Sequence, residues 1–178
     1  MQASLDANRL VFIDETGTST NMARRYGRSP RGTRCLAKVP HGHWKTTTCI
    51  AGLRAGALTA PCVNDAPMNG EHFVADVEQI LAPTLQPGDI VFTDNLRSHY
   101  AQTARDAIQA CGAELLFLPA YSPDLNPIEP VLATLKAPLR KAKERTVDGL
   151  WNKIGELIGA FAPEECANHF RNAGYDPS

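Results

Sequence analysis

The stretch Ile90-Val91-Phe92-Thr93-Asp94 decides the fold class, because it is short and almost wholly apolar up to the carboxylate that ends it. Such a run predicts a strand over 89–93 that is buried on both faces, as in parallel sheets. A predicted helix opening at Asn69 precedes it, and a helix opening at Ser98 leads to a second buried strand over 114–118. This alternation of strands and helices is typical of α/β proteins.

The first third of the chain predicts three further strands, over 9–14, 44–53 and 58–63. The turn residues 54–56 separate the last two, so the three strands are expected to form an antiparallel meander. From Ile128 onward the pattern is helical, in three pieces broken near 145–146 and 162–163. We therefore predict an α/β fold with a five-stranded mixed sheet, an antiparallel meander plus two parallel strands, flanked by helices.

Composition indicates one ordinary globular domain. The chain has 178 residues, of which 43% are hydrophobic and 21% are charged, and a domain of this size buries roughly 70% of its unfolded surface. Its five cysteines are scattered, without a C-x-x-C pair, so reduced thiols are expected rather than disulfides or a zinc site. Neither a signal peptide nor a membrane span is expected, which predicts a cytoplasmic protein.

Positive charge is concentrated in two blocks, although the net charge of the chain is -1. No Asp or Glu occurs between Thr16 and Asn64, and a second basic cluster begins at Lys136. Such blocks predict a surface that contacts phosphates, and the alternative is a solvated loop and a solvated helix face. The first block contains Arg24, Arg25, Arg28, Arg31, Arg34, Lys38, Lys45 and Arg54, and the second contains Lys136, Arg140, Lys141, Lys143 and Arg145.

Three carboxylates follow apolar runs or a tight turn, where a rigid scaffold can hold metal ligands. Asp14 and Asp94 are expected at the ends of two strands, and those strands can be neighbours in the sheet. Glu129 follows a turn punctuated by prolines and opens a helix. Oxygen ligands in this arrangement favour divalent cations and metal-assisted phosphoryl chemistry.

Each carboxylate also has a structural explanation. Either aspartate alone is an ordinary residue of a strand-ending turn. Glu129 fits a capping pattern in which Asn126 is the N-cap and Pro127 is the first helical residue. Alternatively the helix begins at Pro130, which leaves Glu129 at the cap position and free to bind a metal.

Four sequence motifs carry a family resemblance. They are Phe12-Ile13-Asp14-Glu15-Thr16, the segment from Thr20 to Gly32, Thr93-Asp94-Asn95-Leu96-Arg97-Ser98-His99, and Leu118-Pro119-Ala120-Tyr121-Ser122-Pro123-Asp124-Leu125-Asn126-Pro127-Ile128-Glu129. Together they resemble the catalytic core of bacterial insertion-sequence transposases of the mariner superfamily, which are DDE endonucleases. In that family 34 residues separate the second and third acids, as they separate Asp94 and Glu129 here. The resemblance extends from about Arg9 to Tyr175 and implies a ribonuclease-H-like fold.

The resemblance implies that Asp14, Asp94 and Glu129 are a catalytic triad binding two divalent metal ions, Mg²⁺ with Mn²⁺ as a substitute. It also implies DNA cleavage and strand transfer in cut-and-paste transposition, by a homodimer bound to transposon ends and target DNA. The candidates for orienting water or phosphate, or for supporting the loops, are Asn95, His99 and Asn126. The expected DNA contacts are Arg24, Arg25, Arg28, Arg31, Arg34, Lys38, Lys136 and Arg140.

Members of the family carry helix-turn-helix DNA-binding domains ahead of the catalytic core, whereas here the first predicted strand begins within ten residues of the start. We therefore expect a single catalytic domain over 1–178, with a ribonuclease-H-like core at about 9–142 and C-terminal helices at about 146–173. The DNA-binding domain is expected to be missing from this chain, and to be supplied by a separate N-terminal chain or lost by truncation. The expected setting is a bacterial cytoplasm.

Two alternatives remain open from the sequence. The aspartyl-phosphate motifs of phosphatases also follow an apolar strand, and their aspartate is a nucleophile. Those motifs need an acid two residues after the first Asp, or a Lys directly after it, and this chain has Thr16 and Glu15 at those positions. The other alternative is an inactive transposase remnant that binds DNA or a transposase partner without catalysis.

Overall fold

The computed structural model describes residues 5–24, 26–65, 67–94 and 98–176, with the first four residues of the last range described by their backbone alone. Five strands form one sheet. They are β1 Leu10–Ser19, β2 Thr46–Arg54, β3 Ala57–Asn64, β4 Ile90–Thr93 and β5 Glu114–Phe117. The helices are α1 Gly70–Asp76, α2 Ser98–Ala110, α3 Ile128–Ala142, α4 Val147–Gly159 and α5 Pro163–Asn172.

The sheet has the order β3-β2-β1-β4-β5. The pairs β1–β2 and β2–β3 are antiparallel, whereas β1–β4 and β4–β5 are parallel. The predicted meander and the two parallel strands are therefore confirmed, and β1 lies at the centre of the sheet, where the two kinds of pairing meet.

Helices cover both faces of the sheet. Side chains along β1 alternate between the two faces and join a separate apolar cluster on each. Leu10 and Phe12 belong to the cluster that contains α3 and α5, whereas Val11 and Ile13 belong to the cluster that contains α1 and α2. On the first face, the ring of Phe12 stacks on Phe92 at 5.0 Å between centroids.

Strand β1 is longer than predicted, because it continues past Asp14 to Ser19 and pairs with β2 over this length. Thr16 and Thr18 are 6% and 3% exposed and pair with Cys49 and Thr47. Threonines are not apolar, so the apolar pattern that predicts the strand ends before the aspartate. Asp14 therefore lies within a strand, and its predicted place at a strand end was wrong.

Helix α3 begins at Ile128 with Pro127 at the cap position, and no side chain caps it. Both expected starts, at Pro127 and at Pro130, were wrong. Pro130 fits inside the first turn because backbone N–H groups there have no acceptor within the helix. The helix also continues through Pro138 to Ala142.

None of the helices within the described ranges is long and apolar enough to cross a membrane.

Candidate active site

Asp14 lies in the middle of the central strand and shares a face with Leu10 and Phe12, because alternate residues of a strand point the same way. Its Oδ1 accepts a hydrogen bond from the backbone N–H of Glu15 at 2.7 Å. Its Oδ2 accepts one from Nδ2 of Asn126 at 3.4 Å. Both carboxylate oxygens are therefore oriented by neighbouring donors.

Asp94 directly follows β4, which is parallel to β1. The register pairs Leu10 with Ile90 and Phe12 with Phe92. Each pair differs by 80 in residue number, and the same offset continued by two residues brings Asp94 level with Asp14. The parallel pairing of β1 with β4 thus brings Asp94, which directly follows β4, near Asp14, and the charge of Asp94 contributes to raising the pKa of Asp14.

Glu129 approaches these acids from α3, which packs on the same face of the sheet. The pKa of Asp14 is raised from 3.8 to about 6, chiefly because the carboxylate is buried, and further by the negative charges of Asp94, Glu129 and Glu15. The hydrogen bond from Glu15 N–H opposes this shift. Asp94 and Glu129 therefore both lie within electrostatic reach of Asp14.

The acids do not form a closed cluster: within the described ranges, no three Asp, Glu, His or Cys side chains are close enough together to hold a metal ion. The chemistry of the donors nevertheless fits a hard divalent cation, since all are carboxylate oxygens. A further oxygen is available at the same place, because Oδ1 of Asn126 is buried and has no hydrogen-bond partner within the described ranges.

The turn between β5 and α3 is fixed to both aspartate-bearing strands. At its start, Leu118 N–H donates to the carbonyl of Thr93, the residue before Asp94, at 3.1 Å. At its end, Asn126 bonds Asp14. Between these points, Tyr175 donates its hydroxyl to the carbonyl of Leu125 at 3.1 Å. Tyr175 is the last residue of the region that resembles the family, but its contact with Leu125 is not predictable from the sequence.

Of the other predicted site residues, Asn126 is hydrogen-bonded to Asp14. The backbone of His99 lies in the first turn of α2, but its side chain falls outside the described part of the chain, as does all of Asn95.

Three of the residues predicted to contact DNA line one cavity of about 730 Å³ beside the C-terminal end of β1. Arg24 reaches it from the segment after β1, and Lys136 and Arg140 reach it from α3. Lys136 and Arg140 are four residues apart on a helix and therefore project from one face. The predicted cations Arg28, Arg31, Arg34 and Lys38 are exposed but do not line this cavity, and Arg25 lies outside the described part of the chain.

The segment 20–45, here called the arm, is an exposed excursion whose two ends are tied together. Thr20 N–H donates to the carbonyl of Lys45 at 3.0 Å, and Lys45 N–H donates to Oγ1 of Thr20 at 3.1 Å. Arg145, just beyond α3, donates from one guanidinium nitrogen to the carbonyls of Thr20 and Met22 at 2.9 and 3.0 Å. We expected Arg145 only as part of a basic cluster, because nothing in sequence spacing indicates a contact between positions so far apart.

Residues 9–150 match the family model of the DDE superfamily endonucleases. The chain belongs to this family. In this DDE endonuclease domain Asp14 lies in the central strand and Asp94 directly follows the parallel neighbour β4. Family membership removes the support for the aspartyl-phosphate alternative. No curated protein sequence matches the chain.

Solved structures confirm the ribonuclease-H-like fold of the DDE endonuclease domain. A pre-cleavage Mos1 transpososome is similar at a TM-score of 0.76 and 17% identity, covering 96% of this chain and 54% of that one. A Mos1 mariner paired-end complex with Mn is similar at 0.74 and 19% identity, covering 94% and 53%. The catalytic domain of Mos1 mariner transposase is similar at 0.68 and 18% identity, covering 94% and 78%. The chain therefore spans about half the length of the longer transposase chains.

Proposed function

We propose that this DDE endonuclease domain is the catalytic domain of a transposase, cutting DNA strands and joining the freed ends to target DNA. The observation that carries the proposal is that the charges of Asp94 and Glu129 both act on the buried carboxylate of Asp14, with β1 and β4 paired as parallel neighbours. Family membership and the similarity to Mos1 transposase structures support the same reaction.

We propose that Asp14, Asp94 and Glu129 hold divalent cations, two Mg²⁺ ions with Mn²⁺ as a substitute. The raised pKa of Asp14 supports this: burial raises it most and the nearby negative charges raise it further, and a bound cation would offset both effects. The chemistry that such ions supply when bound is activation of the attacking water or 3′-hydroxyl and stabilisation of the leaving oxygen. Similar structures contain Mn or Mg, which agrees with this choice of metal.

The chain's own residues orient the reacting groups. Asn126 and the backbone of Glu15 fix the two oxygens of Asp14 in direction, so that the carboxylate is pre-organised. Arg24, Lys136 and Arg140 border one cavity and are placed to neutralise the phosphates of a DNA strand that runs along α3. Water or the 3′-hydroxyl then attacks the phosphorus in line and displaces the leaving oxygen of the phosphodiester. No covalent bond to the protein forms.

The partners we propose are transposon ends and target DNA, engaged by a homodimer. The similar Mos1 structures include a paired-end complex and a strand transfer complex, which supports DNA of both kinds as substrate. Since this chain spans about half of those proteins, we propose that recognition of the end sequence resides in a DNA-binding domain outside residues 1–178. The core at about 9–142 and the helices at about 146–173 then form one catalytic unit.

Nicking of supercoiled plasmid tests the proposal. We expect the chain to nick the plasmid with Mn²⁺ but not in a chelator, and Asp94→Asn to reduce nicking to background while its circular dichroism and melting temperature stay unchanged. The matched control is Glu114→Gln, which removes an exposed carboxylate from the neighbouring strand β5 and should leave nicking intact. If the parent chain nicks no faster than Asp94→Asn, the enzymatic function is wrong and the inactive remnant is the better explanation.

A further inference from the structure

Asn126 has a buried side-chain oxygen that the surrounding protein does not pair. The side chain is 7% exposed, and no donor within the described ranges reaches Oδ1. The other end of the amide is used, since Nδ2 donates to Oδ2 of Asp14 at 3.4 Å. A buried acceptor without a hydrogen bond costs about 1–3 kcal/mol. Oδ1 is therefore expected to contact a group that the described part of the chain does not supply.

Two further buried side-chain oxygens lack a hydrogen-bond partner within those ranges, and each has another explanation. Oδ1 of Asp89 lies 3.9 Å from Nη1 of Arg9, which offsets its charge. Oδ1 of Asp76 belongs to a carboxyl whose pKa is raised by burial, so this group can take up a proton. An amide can neither form an ion pair nor take up a proton, so neither explanation applies to Asn126.

The backbone on both sides of Asn126 is fixed. Its N–H donates to the carbonyl of Pro123 at 3.0 Å. The hydroxyl of Tyr175 donates to the carbonyl of the preceding residue, Leu125, at 3.1 Å. Pro127 follows and restricts the conformation of the residue before it. The side chain is held through Nδ2, so Oδ1 is pre-organised in one position, as a good metal ligand is.

Two carboxylates flank this amide. Asp14 is bonded to its nitrogen, and Glu129 borders the same cavity of about 360 Å³ as Asn126. The side chain of Glu129 is exposed, so its carboxylate can move within this cavity. Carboxylate and amide oxygens are ligands that suit Mg²⁺ and Mn²⁺. A water molecule would satisfy Oδ1 but leave both negative charges in place, whereas a cation offsets them as well, so the surroundings favour a cation.

We propose that Oδ1 of Asn126 is a ligand of the divalent cation bound by Asp14 and Glu129. The inference rests on the proposed function, because it needs the cation that this function employs. The amide then has two roles, since Nδ2 orients Asp14 and Oδ1 binds the ion. The acids alone form no closed ligand cluster within the described ranges, and the amide adds a fixed oxygen at the place that Glu129 can approach.

Mn²⁺ binding by the full chain, measured from the electron paramagnetic resonance signal of the free ion, tests the proposal without DNA. Asn126→Asp keeps an oxygen at the position of Oδ1 but removes the donor to Asp14, whereas Asn126→Leu is similar in size and removes both. We expect Asn126→Asp to bind Mn²⁺ at least as tightly as the parent chain. Asn126→Leu should bind it at least about 10-fold more weakly, since loss of even an outer-sphere partner costs that much.

The matched control is Asn172→Leu. It removes an exposed amide from the α5 side of the same cavity, and it should bind Mn²⁺ as the parent chain does. Mn²⁺ should also raise the melting temperature of the parent chain and of Asn126→Asp, and raise that of Asn126→Leu less. Asn126→Ala, with the same expected loss of affinity, replaces Asn126→Leu if the larger apolar side chain prevents folding.

The two variants separate a ligand from a residue that only orients Asp14. If Asn126 acts through Nδ2 alone, Asn126→Asp and Asn126→Leu weaken Mn²⁺ binding to the same extent, and the proposal is wrong. Equal affinity of Asn126→Leu and the parent chain would show that Oδ1 is satisfied by water, which also overturns it. So would a parent chain that binds no Mn²⁺.

Failure of this inference is distinguishable from failure of the proposed function. If Asn126→Leu binds Mn²⁺ like the parent chain and the parent chain nicks plasmid with Mn²⁺, the ligand role is wrong and the enzyme stands. If Mn²⁺ binding depends on the oxygen of Asn126 but the parent chain nicks no faster than Asp94→Asn, the ligand role stands and the catalytic function is wrong.

Discussion

Asn126 donates a hydrogen bond from Nδ2 to Oδ2 of Asp14 across 3.4 Å, although the two residues are 112 positions apart. Asn126 is 7% exposed, and its Oδ1 has no hydrogen-bond partner within the described ranges. The bond joins the turn before α3 to the central strand. The bond therefore orients the carboxylate of Asp14. It also holds the start of α3, which carries Glu129, close to the central strand.

Asn126→Asp adds a buried carboxylate beside Asp14 without changing the shape of the side chain. We expect it to lower the free energy of unfolding by about 1–3 kcal/mol at pH 7.5 and by less at pH 4.5, where Asp14, with a pKa of about 6, is largely protonated and repels the new carboxylate less. Urea unfolding at the two pH values measures this. Asn152→Asp, on the exposed side of α4, should be neutral at both, and an equal loss at both pH values would contradict the charge explanation.

Asp14→Asn should stabilise the metal-free chain above pH 6. Because burial raises the pKa of Asp14 from 3.8 to about 6, the folded state binds more protons than the unfolded state between these values. The free energy of unfolding therefore falls as the pH rises through this window. We expect the variant to gain about 1–2 kcal/mol at pH 7.5, after allowing for partial exposure, and nothing at pH 3.5. A gain that does not change with pH would show that the carboxylate charge is not its cause.

Arg54→Met should destabilise the fold by about 2–4 kcal/mol, because it removes the partner of a buried charge. Nη2 of Arg54 lies 2.7 Å from Oδ2 of Asp89, whose side chain is 1% exposed. Arg9 is the matched control, since it lies 3.9 Å from the other oxygen of Asp89 and is 47% exposed. We expect Arg9→Met to cost less than about 1 kcal/mol. Similar losses in denaturant unfolding for both variants would contradict this ranking.

Arg145→Ala should loosen the arm without unfolding the domain. Its guanidinium bonds the carbonyls of Thr20 and Met22 at the point where the arm leaves the sheet. We expect proteolytic cleavage within 20–45 to become several-fold faster, while the melting temperature changes by only a few degrees. Arg171→Ala, an exposed residue on α5, should leave the cleavage rate unchanged. Unchanged cleavage of Arg145→Ala would show that other contacts hold the arm.

Lys136→Ala and Arg140→Ala should each weaken DNA binding to the same extent for all sequences, because phosphate contacts carry no base information. In a plot of log affinity against log salt concentration, the magnitude of the slope should decrease by about 1 for each cation removed. Fluorescence anisotropy at several KCl concentrations measures the slope. Lys153→Ala on α4, where the lysine pairs with Glu156, should keep the parent slope, and an unchanged slope for Lys136→Ala would place the DNA elsewhere.

The sheet was predictable because its strands have distinct apolar patterns. Val91 and its neighbours indicate a strand buried on both faces, and the topology allowed β4 to lie beside β1, as it does in the structure. The place of Asp14 within its strand was not predictable, because the threonines after it are buried through pairing with β2 rather than through apolar character. The start of α3 was ambiguous for a similar reason, since three prolines close together leave several positions sterically possible.

The approach of the three acids was predictable only in outline. Neighbouring strands explain Asp14 and Asp94, but the contact from Asn126 depends on how the turn folds back across the sheet. The same is true of Arg145, whose acceptors are backbone carbonyls and so leave no trace in residue type. A side chain that binds a distant backbone carbonyl cannot be predicted from sequence spacing or motifs.

The common register of β1 and β4 also sets which length changes the chain can accommodate. Asp14 lies four residues after Leu10, and Asp94 lies four residues after Ile90, so the paired strands bring both acids to one level. A single-residue insertion in either short stretch would turn its aspartate to the opposite face of the sheet. Insertions in the arm or in the segments between helices leave that count intact. We therefore expect the loops to accommodate changes in length, whereas the two stretches of four residues must keep their length for both acids to reach the site.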